Sequence, residues 1–195
     1  VPYGNGFRLL THPPFYQTFY LFLCNIKYMA NPFTKDYIDI LTFRIEQEEI
    51  ASRLYESMSL WLDNNGYVNA AKAWKKDSLD ELVHAGWAKE FFLDMGITPK
   101  LSALPECPTS FKGLPDIIRQ TYALEIKVTQ QCNDLSEFSM KTGNHLLHQL
   151  ALKFLAEQQK GMGEAQTLMD KLASFGEDKI AMRLFDLDFQ EEQEG

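Results

Sequence analysis

The sequence predicts an all-α protein: a four-helix bundle with one long crossover and a short fifth helix at the C-terminal end. Three observations point there. Four segments of helical length carry apolar residues stepping by three and four, the spacing that keeps side chains on one helix face. Two of the connections between them are short polar turns, and the middle one is long and proline-rich. Each stripe also has a metal-ligand-type side chain set in its middle, where a bundle would turn it inward.

The first helix is expected to begin near Asn31-Pro32 or at Thr34-Lys35-Asp36 and to run to the polar turn at Asp63-Asn64-Asn65-Gly66. Its stripe is Ile38, Leu41, Ile45, Glu48, Ser52, Tyr55. The second runs from about Asn69 to Met95 and stops at Gly96, with Pro99 just beyond. Its stripe is Trp74, Asp77, Glu81, His84, Ala88, Phe91, Met95. Residues 97–113 hold three prolines and no periodicity, enough chain to carry the fold from one end of the bundle to the other.

The third helix starts around Leu114-Pro115-Asp116, since proline is tolerated in a first turn, and ends near Thr142-Gly143-Asn144. Ile118, Tyr122, Glu125, Val128, Cys132 and Leu135 make its stripe. The fourth runs from about His145 to Ser174, before Gly176, on Leu147, Ala151, Phe154, Gln158, Gly161, Ala165, Leu168, Leu172. Residues 178–190 are apolar and acidic and predict the fifth. Each main helix is about 25 residues or more, against an average of ~11–12.

The chain of 195 residues suits one domain with a substantial core. A net charge of −8 without a basic cluster excludes a nucleic-acid footprint and is compatible with attraction of cations. Cys24, Cys107 and Cys132 form no paired framework, so a reducing, cytoplasmic setting is expected. Cys132 is most simply a core residue, as are Met58 and Met95. Residues 1–28 are aromatic-rich, carry two adjacent prolines and show no helical stripe. They are expected to be an N-terminal extension of unknown role ahead of a domain over 29–195. The apolar run from Phe15 to Ile26 is too short to span a bilayer, and no small-x-small cleavage site follows it.

Isolated ionised carboxylates in a core are too costly to be incidental; they must be paired or must hold a cation. No lysine or arginine falls on the four stripes to pair with Glu48, Glu81 and Glu125. Glu81 and His84, three apart, project from one face. Three carboxylates, an imidazole and the Gln158 amide converging in a bundle describe a site for hard or borderline metal ions.

The segments EEIASRLY from Glu48 to Tyr55, ELVH from Glu81 to His84, YALEIKVT from Tyr122 to Thr129 and FLAEQ from Phe154 to Gln158 together resemble the ferritin family. The likeness covers residues 36–190, and two short turns around one long crossover is the ferritin-like topology. The resemblance implies a hollow homo-oligomeric shell of 24 subunits that oxidises Fe(II) with oxygen or peroxide at a di-iron centre and stores Fe(III) mineral. It implies that Glu48, Glu81 and His84 hold the tighter iron. Bridging Glu81, Glu125 and the Gln158 amide serve the looser one, and Tyr55 stands beside the centre. Gly161 supplies no ligand where some relatives have Glu or His. That suits an ion that arrives, reacts and leaves better than a permanently bound metal pair. A third iron site would use Asp80 and Glu157 but finds Lys160 and Gly161. The positions matching a threefold channel are His148 and Ala151. A DNA-protecting mini-ferritin would place its ligands between subunits and lack the tail after Gly176.

Overall fold

Helix-forming runs bounded by turn residues produce four long helices and one short one. The computed structural model describes residues 34–191, and the expected extension over 1–28 lies outside them. The helices are α1 (Lys35–Asn64), α2 (Val68–Asp94), α3 (Leu114–Lys141), α4 (His145–Phe175) and α5 (Lys179–Glu191), and no strand occurs among the described residues. Contacts divide the chain into residues 1–37 and residues 38–195, the second being the bundle.

Local chemistry sets the ends. α3 opens with Pro115 in its first turn. α4 is capped by Asn144, whose side chain accepts from Leu147 N at 3.0 Å. α2 stops where Gly96 adopts φ +72, a left-handed turn that glycine makes without strain. The N-terminus of α2 has no capping side chain of its own. Asp186 of α5 caps it instead, accepting from Asn69 N at 3.1 Å and Ala70 N at 2.8 Å. Arg183 reinforces that junction, lying 4.4 Å over the Tyr67 ring and donating to Asn65 O at 3.1 Å. The fifth helix is thereby part of the bundle's structure.

The main apolar cluster shows the topology. It joins Met58 and Leu62 late in α1, Ala70 and Trp74 early in α2, Leu114 and Ile118 at the start of α3, Leu172 late in α4, and Phe185 of α5. The end of α1 and the starts of both α2 and α3 thus share one end of the bundle. α2 departs from the opposite end, so residues 97–113 must travel its length. They do so alongside α1: Arg53 Nη1 donates to Pro105 O at 3.0 Å, Ser57 Oγ to Pro108 O, and Trp61 meets Phe111 edge-on at 6.0 Å.

Burying each such aliphatic or aromatic side chain contributes about 1.5–3 kcal/mol. Polar ties then fix the register. Ser52 Oγ donates to Ser78 O at 2.7 Å, and Trp74 Nε1 donates to Thr121 Oγ1 at 2.9 Å. Met58 is a core residue as expected, but Met95 is only half-buried, because it is the C-cap of α2, just past its last helical residue.

Candidate metal centre

Among the described residues, three side chains from two helices form a group that could hold a metal ion. Glu48 of α1 and Glu81 and His84 of α2 offer ligand atoms that all lie within 4.8 Å of one another. The Ser52–Ser78 tie holds α1 and α2 together close by, and the i,i+3 spacing brings His84 Nδ1 to 3.0 Å from Glu81 Oε2. Glu48 is 1% exposed, and its Oε2 has no hydrogen-bond partner. A buried carboxylate oxygen without a donor is an unfinished interaction, one that a cation would complete. Two carboxylates and an imidazole, hard and borderline donors, suit a divalent first-row ion.

The acids resist ionising without one. Burial pushes the Glu48 carboxyl well above the usual carboxylate range, partly opposed by the Arg44 guanidinium and reinforced by the Glu81 charge. Burial raises Glu81 to about 7. Metal binding at these oxygens must therefore compete with protons.

Arg44 corrects the sequence expectation that no cation would accompany the acids. Its Nε lies 2.8 Å from Glu48 Oε1, and both side chains are buried. The stripe steps from Ile45 to Glu48, a step of three, and so passes over the residue four before Glu48, which shares the same face. Glu48 thus has a cation beside Oε1 and the Glu81 carboxyl within hydrogen-bonding reach, while no N–H or hydroxyl donor serves Oε2.

Glu125 of α3 and Gln158 of α4 meet each other first. Gln158 Nε2 donates to both Glu125 Oε2 and the Glu125 backbone oxygen, the latter at 3.2 Å, while Tyr55 OH donates to Glu125 Oε1. Both oxygens of Glu125 are occupied, and it stands outside the three-residue group. The expected residues therefore all face one locale but divide into a compact trio and a hydrogen-bonded set of Tyr55, Glu125 and Gln158. Burial, with the Glu125 charge beside it, also raises the Tyr55 phenol well above its ordinary value, so it remains a proton donor.

Both sets line one cavity of about 370 Å³, which also reaches Asp77, Asp80, Trp87, Glu157, Lys160 and Glu164. Asp77 and Trp87 were not singled out in the sequence. Asp77 lies on the α2 stripe one turn before Glu81, and burial raises its carboxyl to about 7. Trp87 packs against His84 at 4.7 Å and Phe154 at 5.5 Å, and only its spacing three residues after His84 hinted at this.

The remaining expectations sort by burial. Asp80 pairs with Lys76 at 2.8 Å, and Glu157 and Lys160 are exposed. Cys132 is buried, with its thiol pushed up to about 12 by burial, as befits a core residue. Ala151 is wholly buried inside the subunit, so it lines no channel; His148 contacts Ser139 Oγ at 3.0 Å. The small side chain of Ala151 lets α4 seat it against the bundle interior. No described helix is long and apolar enough to cross a membrane.

A family profile described as "Ferritin-like domain" matches residues 38–175, which include every residue of the centre. The chain is 24% identical over 155 residues to a probable bacterial non-heme ferritin-like protein of Haemophilus influenzae, covering 80% of this chain and 94% of that one. It is 22% identical to a bacterial non-heme ferritin of Escherichia coli, covering 71% of this chain and 84% of that one. Its fold is similar to that of an open pore ferritin from the archaeon Archaeoglobus fulgidus, with a TM-score of 0.78, 24% identity, and coverage of 82% of this chain and 98% of that one.

Proposed function

The chain belongs to the ferritin-like family, and on that premise we propose that it is an iron-storage ferroxidase. Fe(II) is its substrate, the oxidation takes place inside one subunit, and the Fe(III) product is stored as mineral in a hollow homo-oligomeric shell, 24 subunits by family resemblance. The observation that carries this is the trio of Glu48, Glu81 and His84 with the unpartnered Glu48 Oε2. The free thiols of Cys107 and Cys132 support a cytoplasmic setting.

The protein's part is to collect two ions and favour their ferric state. Glu48, Glu81 and His84 bind the first. Glu81 also reaches the second, which takes Glu125 after that carboxylate gives up a hydrogen bond, and Gln158 adds at best an amide oxygen. Anionic oxygen ligands stabilise Fe(III) over Fe(II). Each Fe(II) gives one electron, and dioxygen takes both with two protons to leave as hydrogen peroxide; peroxide as oxidant leaves as water. Tyr55, with its proton retained, is placed to reorient Glu125 as the second ion arrives. Gly161 closes nothing, which supports a second ion that passes through.

Glu81→Ala tests this, because Glu81 serves both ions. Stopped-flow oxidation at two Fe(II) per subunit should lose its fast phase while size exclusion shows the assembly unchanged. His84→Ala should weaken mainly the tighter site. Fast oxidation persisting in Glu81→Ala rules out the di-iron assignment.

A further inference from the structure

Arg44 is a buried cation to which the proposed chemistry gives no task. It is 2% exposed. Nε lies 2.8 Å from Glu48 Oε1, and Nη1 donates to Gln131 Oε1 at 3.2 Å and to Cys132 Sγ at 3.6 Å. The Phe154 ring lies 5.7 Å from the guanidinium carbon. Nη2 has no partner, and the Nε hydrogen is not aimed at the oxygen beside it. A guanidinium buried with donors unused is a poor stability device; a well-packed apolar pair would serve the fold as well or better.

Its position indicates a role in the centre instead. Glu48 has two oxygens. Arg44 occupies the surroundings of Oε1, and Oε2 is the one without a partner. With the guanidinium against Oε1, an incoming ion meets Oε2 first, and chelation through both oxygens would press the ion against a like charge. The guanidinium is also a permanent positive charge in contact with one metal-ligand carboxylate and close enough to act on the second, Glu81. Like charges a few ångströms apart in a dry interior repel strongly.

We infer that Arg44 is a positioning residue of the metal centre: it restricts Glu48 to a single ligating oxygen and weakens the hold of the Glu48–Glu81–His84 trio on a divalent cation. An ion bound there is then readily passed on. The inference rests on the metal-centre reading. It also explains why arginine stands here, since only a planar fork reaches Gln131 and Cys132 while lying against Glu48; an ammonium is a point charge.

Co(II) tests it without iron turnover, because its visible absorption reports coordination number and geometry. Calorimetric and optical titrations are made on wild type, Arg44→Gln, Arg44→Lys and Glu81→Ala in assembled protein at pH 8, where protons compete least. Arg44→Gln is expected to bind Co(II) about tenfold or more tightly, the scale of one fixed charge removed from nearby, with weaker absorption per ion as Glu48 chelates through both oxygens. Arg44→Lys keeps the charge, so its affinity should stay within about threefold while its spectrum moves. Wild-type affinity and spectrum in Arg44→Gln overturn the inference. Where that variant does not fold, a wild-type spectrum in Arg44→Lys overturns it equally. Wild-type protein that binds no Co(II), or binds it as Glu81→Ala does, defeats the metal-centre reading itself; binding in wild type with no change in either Arg44 variant defeats only the role of Arg44.

Discussion

Gly161 leaves the space that the Glu125 carboxylate occupies: a Cβ on Gly161 would stand 2.9 Å from Glu125 Oε2 and 3.5 Å from Cδ. The missing side chain therefore does more than withhold a ligand. It gives Glu125 room to lie between Tyr55 and Gln158.

Gly161→Glu must accordingly displace Glu125 as well as add a carboxylate. Released from Gln158 and Tyr55, Glu125 becomes available to an ion, and the new acid can close the second site. Iron retained per subunit after dialysis should rise above wild type, multiple-turnover oxidation should slow, and tyrosine absorption should change as Tyr55 loses its partner. If the wild type already retains two irons per subunit, its second site is not weak, and a permanent metal pair is the better description.

The raised carboxyls give the metal-free protein a defined pH dependence. Glu81, at about 7 when folded against an ordinary 4.5, and Asp77, at about 7 against 3.8, bind more protons folded than unfolded between those limits. Stability therefore falls as pH rises through that window, and the loss is complete above about 7; each group contributes on the order of a few kcal/mol. Melting of metal-free protein between pH 5.5 and 8 should show the decline, Glu81→Gln should flatten it, and Zn(II) should reverse it, with protons released on binding. A melting temperature that rises steadily across that range contradicts this account.

Asp186 predicts a purely structural effect. Asp186→Ala leaves the Asn69 and Ala70 amides at the start of α2 without their acceptor, a loss of about 0.5–2 kcal/mol by the usual scale of helix caps. Thermal melting should drop while Fe(II) oxidation at low temperature matches wild type. An equal loss of both would place α5 in the chemistry.

Apolar replacement separates the cost of the centre from its use. Glu48→Leu alone strands Arg44 in the interior and should destabilise by roughly 3–5 kcal/mol. Glu48→Leu with Arg44→Met removes both charges and should melt no lower than wild type, yet neither protein should oxidise iron rapidly. A double variant as unstable as the single one would mean that the pair itself holds the fold.

The sequence by itself determined the helices, their order and the crossover, and it singled out the candidate ligand residues that the fold brings to one cavity. Steps of three and four reveal which face turns inward, and Pro115, Gly96 and Asn144 mark ends through their own backbone chemistry. Glu48, Glu81 and His84 could be read because acids on an apolar stripe conflict with burial, a conflict visible without coordinates. Tertiary structure alone decided what lies between the stripes. Arg44 was missed because one stripe drawn through Ile45 excludes its neighbour on the same broad face. The partition of Glu125 with Tyr55 and Gln158, away from the trio, depends on distances between α1, α3 and α4 that no local pattern contains. Ala151 was expected at a channel and Asp186 was not expected at the start of α2, for the same reason. Periodicity reports the direction a side chain takes from its own helix, whereas its partner is set by where another helix, distant in sequence, comes to rest.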